Sequence, residues 1–414
     1  MQKSIKFILI FLVFGVFNLF AQHEGENKHQ GENHEVSSET EHGEHSEEFD
    51  VKKTIFHHIG NQNVFSIGSF NFPLPVILYS KDQGWSFFSS GKFGIGHHGD
   101  GHKVVDGYVL SEGSVYRIAD KNFDRNGIKQ LDKIERVQEL VDGKKREVQY
   151  AVIDGHKYKL DSRSTLDGGA LGGGITSFYD FSITKNVVFM ILVALLLLFL
   201  FTKIARAYKT NEGKAPSGIQ SFFEPMIIFV RDEVAKPFIG EKYNKYLPYL
   251  LAIFFFILTL NLLGQIPFIG SVNTTGNLSI TMGLALIAFF IVNISGRKTY
   301  WEHVFWMPGV PWWVKATILT PIEFLGLFIK PFTLMLRLFA NITAGHMVVL
   351  VFLGLIFIFG KSGADVGGSI VGTAMAVPLV IFMMALEIIV AFIQAFVFTM
   401  LVASYIGAAV EEHH

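Results

Sequence analysis

Five long apolar runs, at about 182–205, 246–269, 278–296, 316–360 and 371–408, restrict this chain to one class of fold. The hydrocarbon core of a bilayer is ~30 Å thick and takes about 20 helical residues to cross. Within it every backbone polar group must be satisfied inside the segment, which a helix achieves. The expected fold is therefore an all-α membrane protein with about five transmembrane helices. The fourth and fifth runs exceed what a perpendicular crossing needs, so long, tilted or kinked helices are expected there. Composition agrees, since half the residues are hydrophobic and 17% are charged, against roughly 25% in soluble domains.

The rest of the chain divides by composition. Residues 1–21 place Lys3 and Lys6 before the apolar Phe7–Phe17 and end at Ala21-Gln22, the order of a cleaved signal peptide. Residues 22–50 are almost all Glu, His, Gly, Asn and Ser, too poor in apolar groups to offset the entropy of ordering, so a disordered acidic tail is expected. Residues 51–177 are mostly polar with short alternating runs. Asp154-Gly155 stands between Val148–Ile153 and His156–Leu160, a hairpin signal, and a small β-containing extracytoplasmic insert is the expectation. Residues 178–414 form the membrane domain. Between its first two apolar runs, Pro216–Tyr246 has the period of an amphipathic helix lying at the interface.

An exported start puts Lys203, Arg206, Lys209 and Lys214, and then Arg297-Lys298, on the cytoplasmic side, as the positive-inside pattern requires. The C-terminus is then cytoplasmic. Trp301, Trp306, Trp312 and Trp313 read as an interfacial aromatic belt, and Asn261 and Asn277 as helix-end or interhelical hydrogen-bonding groups.

Chemistry concentrates in the last two runs. Arg337 lies in the middle of the fourth, where a guanidinium costs at least ~2.5–3.5 kcal/mol and usually faces a partner, a water cavity or an ion path. Asn341, four residues on, shares its helix face. His346 is nine residues from Arg337, about half a turn round and ~14 Å along. Glu387 and Gln394 are seven apart in the fifth run and share a face ~10 Å long. His346 and Glu387 are expected to meet in an aqueous cleft. Any one such group is often satisfied bundle interior, but the whole set on two helices reads as an ion pathway.

Lys330-Pro331, Leu336-Arg337-Leu338-Phe339-Ala340-Asn341, Ala344-Gly345 and Gln394-Ala395-Phe396-Val397-Phe398 together closely resemble subunit a of the F-type ATP synthase membrane sector, over about residues 178–412. Glu323, fourteen residues before the arginine, also fits that layout. His346 and Glu387 stand exchanged relative to many bacterial members, as in mitochondrial-type relatives. The resemblance implies a non-catalytic stator subunit of a bacterial inner membrane that offers two proton half-channels to a c-ring and is held by peripheral-stalk b subunits. It implies that Arg337 meets the ring carboxylate and separates the half-channels, with Asn341, His346, Glu387, Gln394 and Glu323 along the proton path. It implies no cofactor, and it does not account for the long segment before residue 175.

The rival reading is a self-contained cation transporter with a histidine-rich collector. No metal site is assigned, the candidates being His42 and His45 in the tail and His97, His98 and His102 in a glycine-rich loop. The sequence carries neither an internal repeat nor paired broken helices to support that rival. A net charge of −1 argues against nucleic acid as a partner, and the absence of cysteine excludes disulfides and thiolate metal sites. The partners expected are the lipid bilayer and the other synthase subunits. Protons are the expected coupling ion, because the cleft offers titratable His and Glu and no oxygen cage.

Overall fold

The computed structural model describes residues 62–67, 70–95, 100–120, 122–141, 144–162, 164, 176–210, 213–266, 273–306, 312–360 and 365–411. The expected signal peptide, the acidic tail, the linker glycines at 168–174 and the histidines at 42, 45, 97 and 98 lie outside these residues.

The N-terminal part is a stack of small antiparallel sheets. Strands β1 (Val64–Ile67) and β2 (Phe70–Pro73) form a hairpin, and β3 (Pro75–Ser80) and β4 (Gly84–Ser89) form another. Strands β5 (Lys103–Val105), β6 (Tyr108–Ser111), β7 (Ser114–Arg117) and β8 (Ile128–Gln130) make a four-stranded sheet in the order β7-β6-β5-β8. Strands β9 (Lys133–Val141), β10 (Lys144–Ile153) and β11 (His156–Lys159) make a third sheet, and β12 (Phe178–Asp180) returns to pair with β3.

The four-stranded sheet is the middle layer. Tyr108 and Leu110 of β6 join a core with Val76, Leu78 and Phe178, whereas Val109 between them joins Ala151, Ile153 and Leu160 on the other side. Side chains alternate across a strand, so a strand buried on both faces must be apolar throughout, and β6 is buried at every position. The expected hairpin is present: Ile153 pairs with His156, and Asp154 and Gly155 take φ of 51° and 75°, the two positive values that a tight two-residue turn needs.

Helix α1 (Lys185–Thr210) follows β12 with four residues between. The amphipathic stretch is helical but comes in pieces: α2 (Ile219–Phe229), a widened π turn over Val230–Ala235, a short turn Lys236–Ile239 and Gly240–Lys242. Pro237 lies in the short turn, and Gly240 takes φ of 70°, so the chain bends there before α3 (Tyr243–Gly264). Helix α4 (Leu278–Ser295) and the short α5 (Lys298–Trp306) precede α6 (Thr320–Phe359) and α7 (Val366–Val410).

Among the described residues, five helical stretches are long and apolar enough to cross a membrane, the last two of 43 and 45 residues. Each of those is about twice the ~20 residues a perpendicular crossing takes. Their shared core runs through Met190, Val193 and Leu197 of α1, Phe254 and Ile257 of α3, Ile280 and Leu284 of α4, Leu334 and Leu338 of α6, and Phe398 and Val402 of α7. Spacings of three, four and seven residues put each set on one helix face. Phe65 and Leu74 of the β part belong to the same core, so the two parts are packed together.

Candidate functional site

The last two helices are the least covered by the rest of the chain. In each, 11% of the most apolar stretch is buried, against 61% over Ile219–Gly264. Their antiparallel register is fixed at three levels. The Gly345 backbone lies against Glu387, Ile356 against Gly372, and Lys330 Nζ sits 5.4 Å from the Tyr405 ring centroid. That register puts Arg337 within about one turn of Gln394 in depth.

Arg337 is half-buried and Asn341, one turn on, is exposed. Among the described residues Arg337 has neither a hydrogen bond nor an ion pair, and its charge reaches Tyr405 only at a distance. Burying a guanidinium without a carboxylate is costly, so a membrane arginine in this position calls for a partner beyond the described residues.

Glu387 lies on the α7 side facing α6. Its carboxylate lies against Gly345, one residue before His346: a β-carbon on that glycine would stand 2.6 Å from Glu387 Oε1. A side chain there would require the end of Glu387 to move. His346 is the next residue along α6, and among the described residues it forms neither an ion pair nor a hydrogen bond with Glu387.

Helix α3 completes this side of the site with two residues that spacing in the last helices does not reveal. Gln265 Nε2 donates to the Glu387 backbone oxygen at 2.9 Å, and Asn261 Nδ2 donates to the Ala391 oxygen at 3.4 Å. Asn261 is thereby the interhelical hydrogen-bonding group expected. Asn277 caps α4, its Oδ1 accepting from the Ser279 amide at 3.0 Å. The side-chain oxygens Asn261 Oδ1, Glu387 Oε1 and Gln394 Oε1 are all buried and, among the described residues, have no hydrogen-bond partner. Buried acceptors are normally satisfied; here Asn261 lies at the α3–α7 contact and Glu387 Oε1 faces α6.

On the other side of Arg337, Glu323 and Lys330 precede it at intervals of seven residues and so lie near one helix line. A cavity between α4, α5, α6 and α7 is lined by Lys330, Asn293, Tyr300 and Tyr405 among apolar groups. Tyr300 Oη donates to Asn293 Oδ1 at 3.4 Å, and its phenol is pushed above its ordinary value by burial and then by the Glu323 charge. Glu323 is half-buried and, among the described residues, has no ion pair. Polar groups therefore lie along α6 on both sides of Arg337.

His102 is exposed, and no cluster of three or more His, Asp or Glu that could hold a metal occurs among the described residues.

Residues 187–407 match the family described as ATP synthase A chain, and residues 54–142 match a domain family of unknown function, DUF8433. The chain is 44% identical over 237 residues to ATP synthase subunit a of Chlorobium phaeobacteroides (strain BS1), covering 55% of this chain and 66% of that protein, a little under two thirds of its length. It is 37% identical over 279 residues to ATP synthase subunit a of Chloroherpeton thalassium, covering 66% of this chain and 79% of that protein. It is 40% identical over 258 residues to the Myxococcus xanthus protein of the same name, covering 61% and 80%.

Proposed function

The chain belongs to the ATP synthase A chain family, a multi-pass membrane subunit of the F-type ATP synthase, and from that premise we propose that it carries protons between bulk water and a rotating c-ring. The observation that carries this reading is an arginine with neither a hydrogen bond nor an ion pair among the described residues, on the two least-covered helices, with buried oxygens that lack a partner among those residues to one side and a small, mostly apolar cavity lined by Lys330 to the other.

Protons enter along the α3–α7 seam. Glu387 and His346, with Gln394, Asn261 and Gln265 beside them, pass a proton inward to a carboxylate of the ring at the exposed face of α6 and α7. A neutral carboxyl can enter lipid where a charged one cannot, so protonation lets the ring turn. When a carboxyl comes round to Arg337 from the other side, the guanidinium field favours its ionised form and the proton leaves, past Lys330 and Glu323. Arg337 also keeps the two routes apart, because a proton approaching it from either side is repelled. Asn341, one turn away and exposed, lines the same ring-facing surface. Each charge crossing 100 mV yields roughly 2.3 kcal/mol, so several steps are summed for each ATP made by other subunits.

The chain is the non-catalytic stator half of this motor, held by peripheral-stalk b subunits in a bacterial inner membrane. Residues 1–21 are a cleaved signal peptide, 22–50 a solvated tail, 51–177 an extracytoplasmic insert and 178–414 the membrane domain, with the C-terminus cytoplasmic. ATP-driven acidification of vesicles holding the complex, measured with and without Na⁺, tests this reading. Pumping that needs no Na⁺ is expected, and pumping that stops without Na⁺ contradicts the proton assignment.

A further inference from the structure

The outer face of the β12-β3-β4 sheet is a row of aromatic side chains. Tyr79 pairs with Trp85 and Tyr179, and Ile77 pairs with Phe87. Side chains opposite one another, or two apart on a strand, share a face, so Ile77, Tyr79, Trp85, Phe87, Tyr179 and Phe181 stand together. Ring centroids are 5.1 Å apart for Tyr79–Trp85, 5.7 Å for Trp85–Phe87, 5.3 Å for Trp85–Phe181 and 6.1 Å for Tyr79–Tyr179. Trp85 and Phe87 remain 54% and 67% exposed. The opposite face of the sheet, through Val76, Leu78 and Phe178, is already spent on the β core.

The depth of this face follows from the first membrane helix. Lys203 and Arg206 mark one end of the α1 apolar stretch, and about 20 residues back from Lys203, the length of a hydrocarbon crossing, is Ile183. The sheet is tied to that level. The Ile183 amide donates to the Pro75 oxygen at 3.1 Å, the Phe181 amide to the Ile77 oxygen at 2.8 Å, and the Lys185 amide to the Gln62 oxygen at 2.9 Å. Phe65 and Leu74 also share a core with Phe189 and Met190 of α1, so the sheet is not on a loose tether.

At ~3.3 Å per residue, the row Ile77, Phe87 and Phe181 is about 7 Å along the strands from the level of Ile183, and the row Tyr79, Trp85 and Tyr179 about 7 Å farther. Purely apolar groups lie nearer the acyl chains, and groups with a polar tip lie nearer water. That order suits the membrane interface, where Trp and Tyr sit at headgroup level with one end apolar and the other wet.

We propose that this sheet face docks into the phospholipid headgroup layer beside α1, so that the β part lies against the membrane surface. Its occupant is the lipid leaflet, because the face is continuous with a membrane-spanning helix and graded in polarity along the membrane normal.

The chain has no cysteine, so single nitroxide labels can be placed cleanly. Phe87→Cys, Trp85→Cys and, as a control on the exposed face of β9, Val137→Cys are labelled on the purified full chain. Each is reconstituted in phosphatidylcholine–phosphatidylglycerol vesicles, and collision with oxygen is compared with collision with a water-soluble nickel chelate. The oxygen-to-nickel ratio is expected to be about tenfold higher at 87 than at 137, with 85 between them, as for a group lying in the interface. A ratio at 85 and 87 equal to that at 137 would overturn the proposal in favour of an aqueous surface. Shielding of both sites from both reagents would overturn it in favour of a protein partner or a second copy. Because 85 and 87 are separate exposed positions, a misfolded variant at one leaves the other to decide.

Discussion

The buried arginine of the β part is answered within the chain, and the charges of the last two helices find no ion pair among the described residues. Arg117 is 1% exposed, yet its guanidinium donates to both Asp82 oxygens at 2.7 Å, to Gln83 Oε1 at 2.9 Å and to the Ser177 oxygen at 3.1 Å. Arg136 reaches Glu112 at 3.2 Å, and Glu135 lies between Lys133 and Lys157. In α6 and α7, by contrast, Glu323, Arg337 and Glu387 have no ion pair among the described residues. A fold can carry buried charge for its own cohesion, in which case the partner is at hand. Where charge is carried with no partner among the described residues, a partner on another subunit is what we propose, and that distinction separates architecture from function here.

Substitution at Arg337 separates these roles most widely. Arg337→Ala should lower proton-driven ATP synthesis by about a hundredfold or more while the complex still assembles, since a fixed charge is lost and no core volume. Lysine should rescue poorly, because it deprotonates when desolvated and lacks the planar fork. Near wild-type synthesis by an assembled Arg337→Ala complex would erase the contrast.

The His346 and Glu387 pair comes next in size. Replacing either with an apolar group should slow proton pumping at least about tenfold, general acid–base groups contributing roughly 10²–10⁴. Placing Glu at 346 and His at 387 together should recover more than the product of the two single exchanges, because two carboxylates or two imidazoles in that space perturb each other. Simple additivity in pumping rates would put the entry route elsewhere.

In the β part the expected effect is on stability alone. Asp82→Asn leaves the Arg117 guanidinium without its carboxylate and should destabilise the β part by about 1–3 kcal/mol, less than for a fully buried pair because Asp82 is 47% exposed. Burial raises the Asp82 carboxyl, but the Arg117 hydrogen bonds and charge, helped by Arg125, outweigh it, so its folded value is depressed. The sign follows: this contribution is complete above the ordinary carboxylate range and is lost as pH falls through the folded value. Hydrogen exchange in β6 and β7 should show that acid loss in the parent and a weaker one in Asp82→Asn. Pumping per assembled complex should not change, and a pumping defect would show that the β part is wired into the proton route.

Deleting residues 23–50 should have the smallest effect. On the proposal that this acidic segment is an extracytoplasmic tail, it places no group in the proton path, so synthesis per complex is expected to stay at the parent level. A collapse in synthesis would refute the reading of that segment.

Much of this contrast was legible in the sequence, for identifiable reasons. Apolar runs report membrane helices because lipid leaves the backbone no other choice, and Asp154-Gly155 reports its hairpin because both residues tolerate positive φ. Arg337 stands out by its cost. The three-layer stacking of the β part was not legible, because β6, buried on both faces, shows no alternation. Gln265 was missed because it bonds a backbone oxygen 122 residues away, and no periodicity records that. The cavity at Lys330 and Tyr405 depends on the register of α6 against α7, which is set by close contacts at Gly345 and Gly372 and not by hydrophobic pattern.

The central claim, that Arg337 faces a carboxylate on another subunit, is tested most directly by disulfide trapping. Asn341→Cys, exposed and one turn from Arg337, is paired with a cysteine one residue from the ring carboxylate, and Leu195→Cys on the exposed side of α1 serves as the control. The account predicts rapid crosslinking to the ring from 341 and none from 195. Crosslinking from 195 with none from 341, in complexes that pump protons before oxidation, would contradict it.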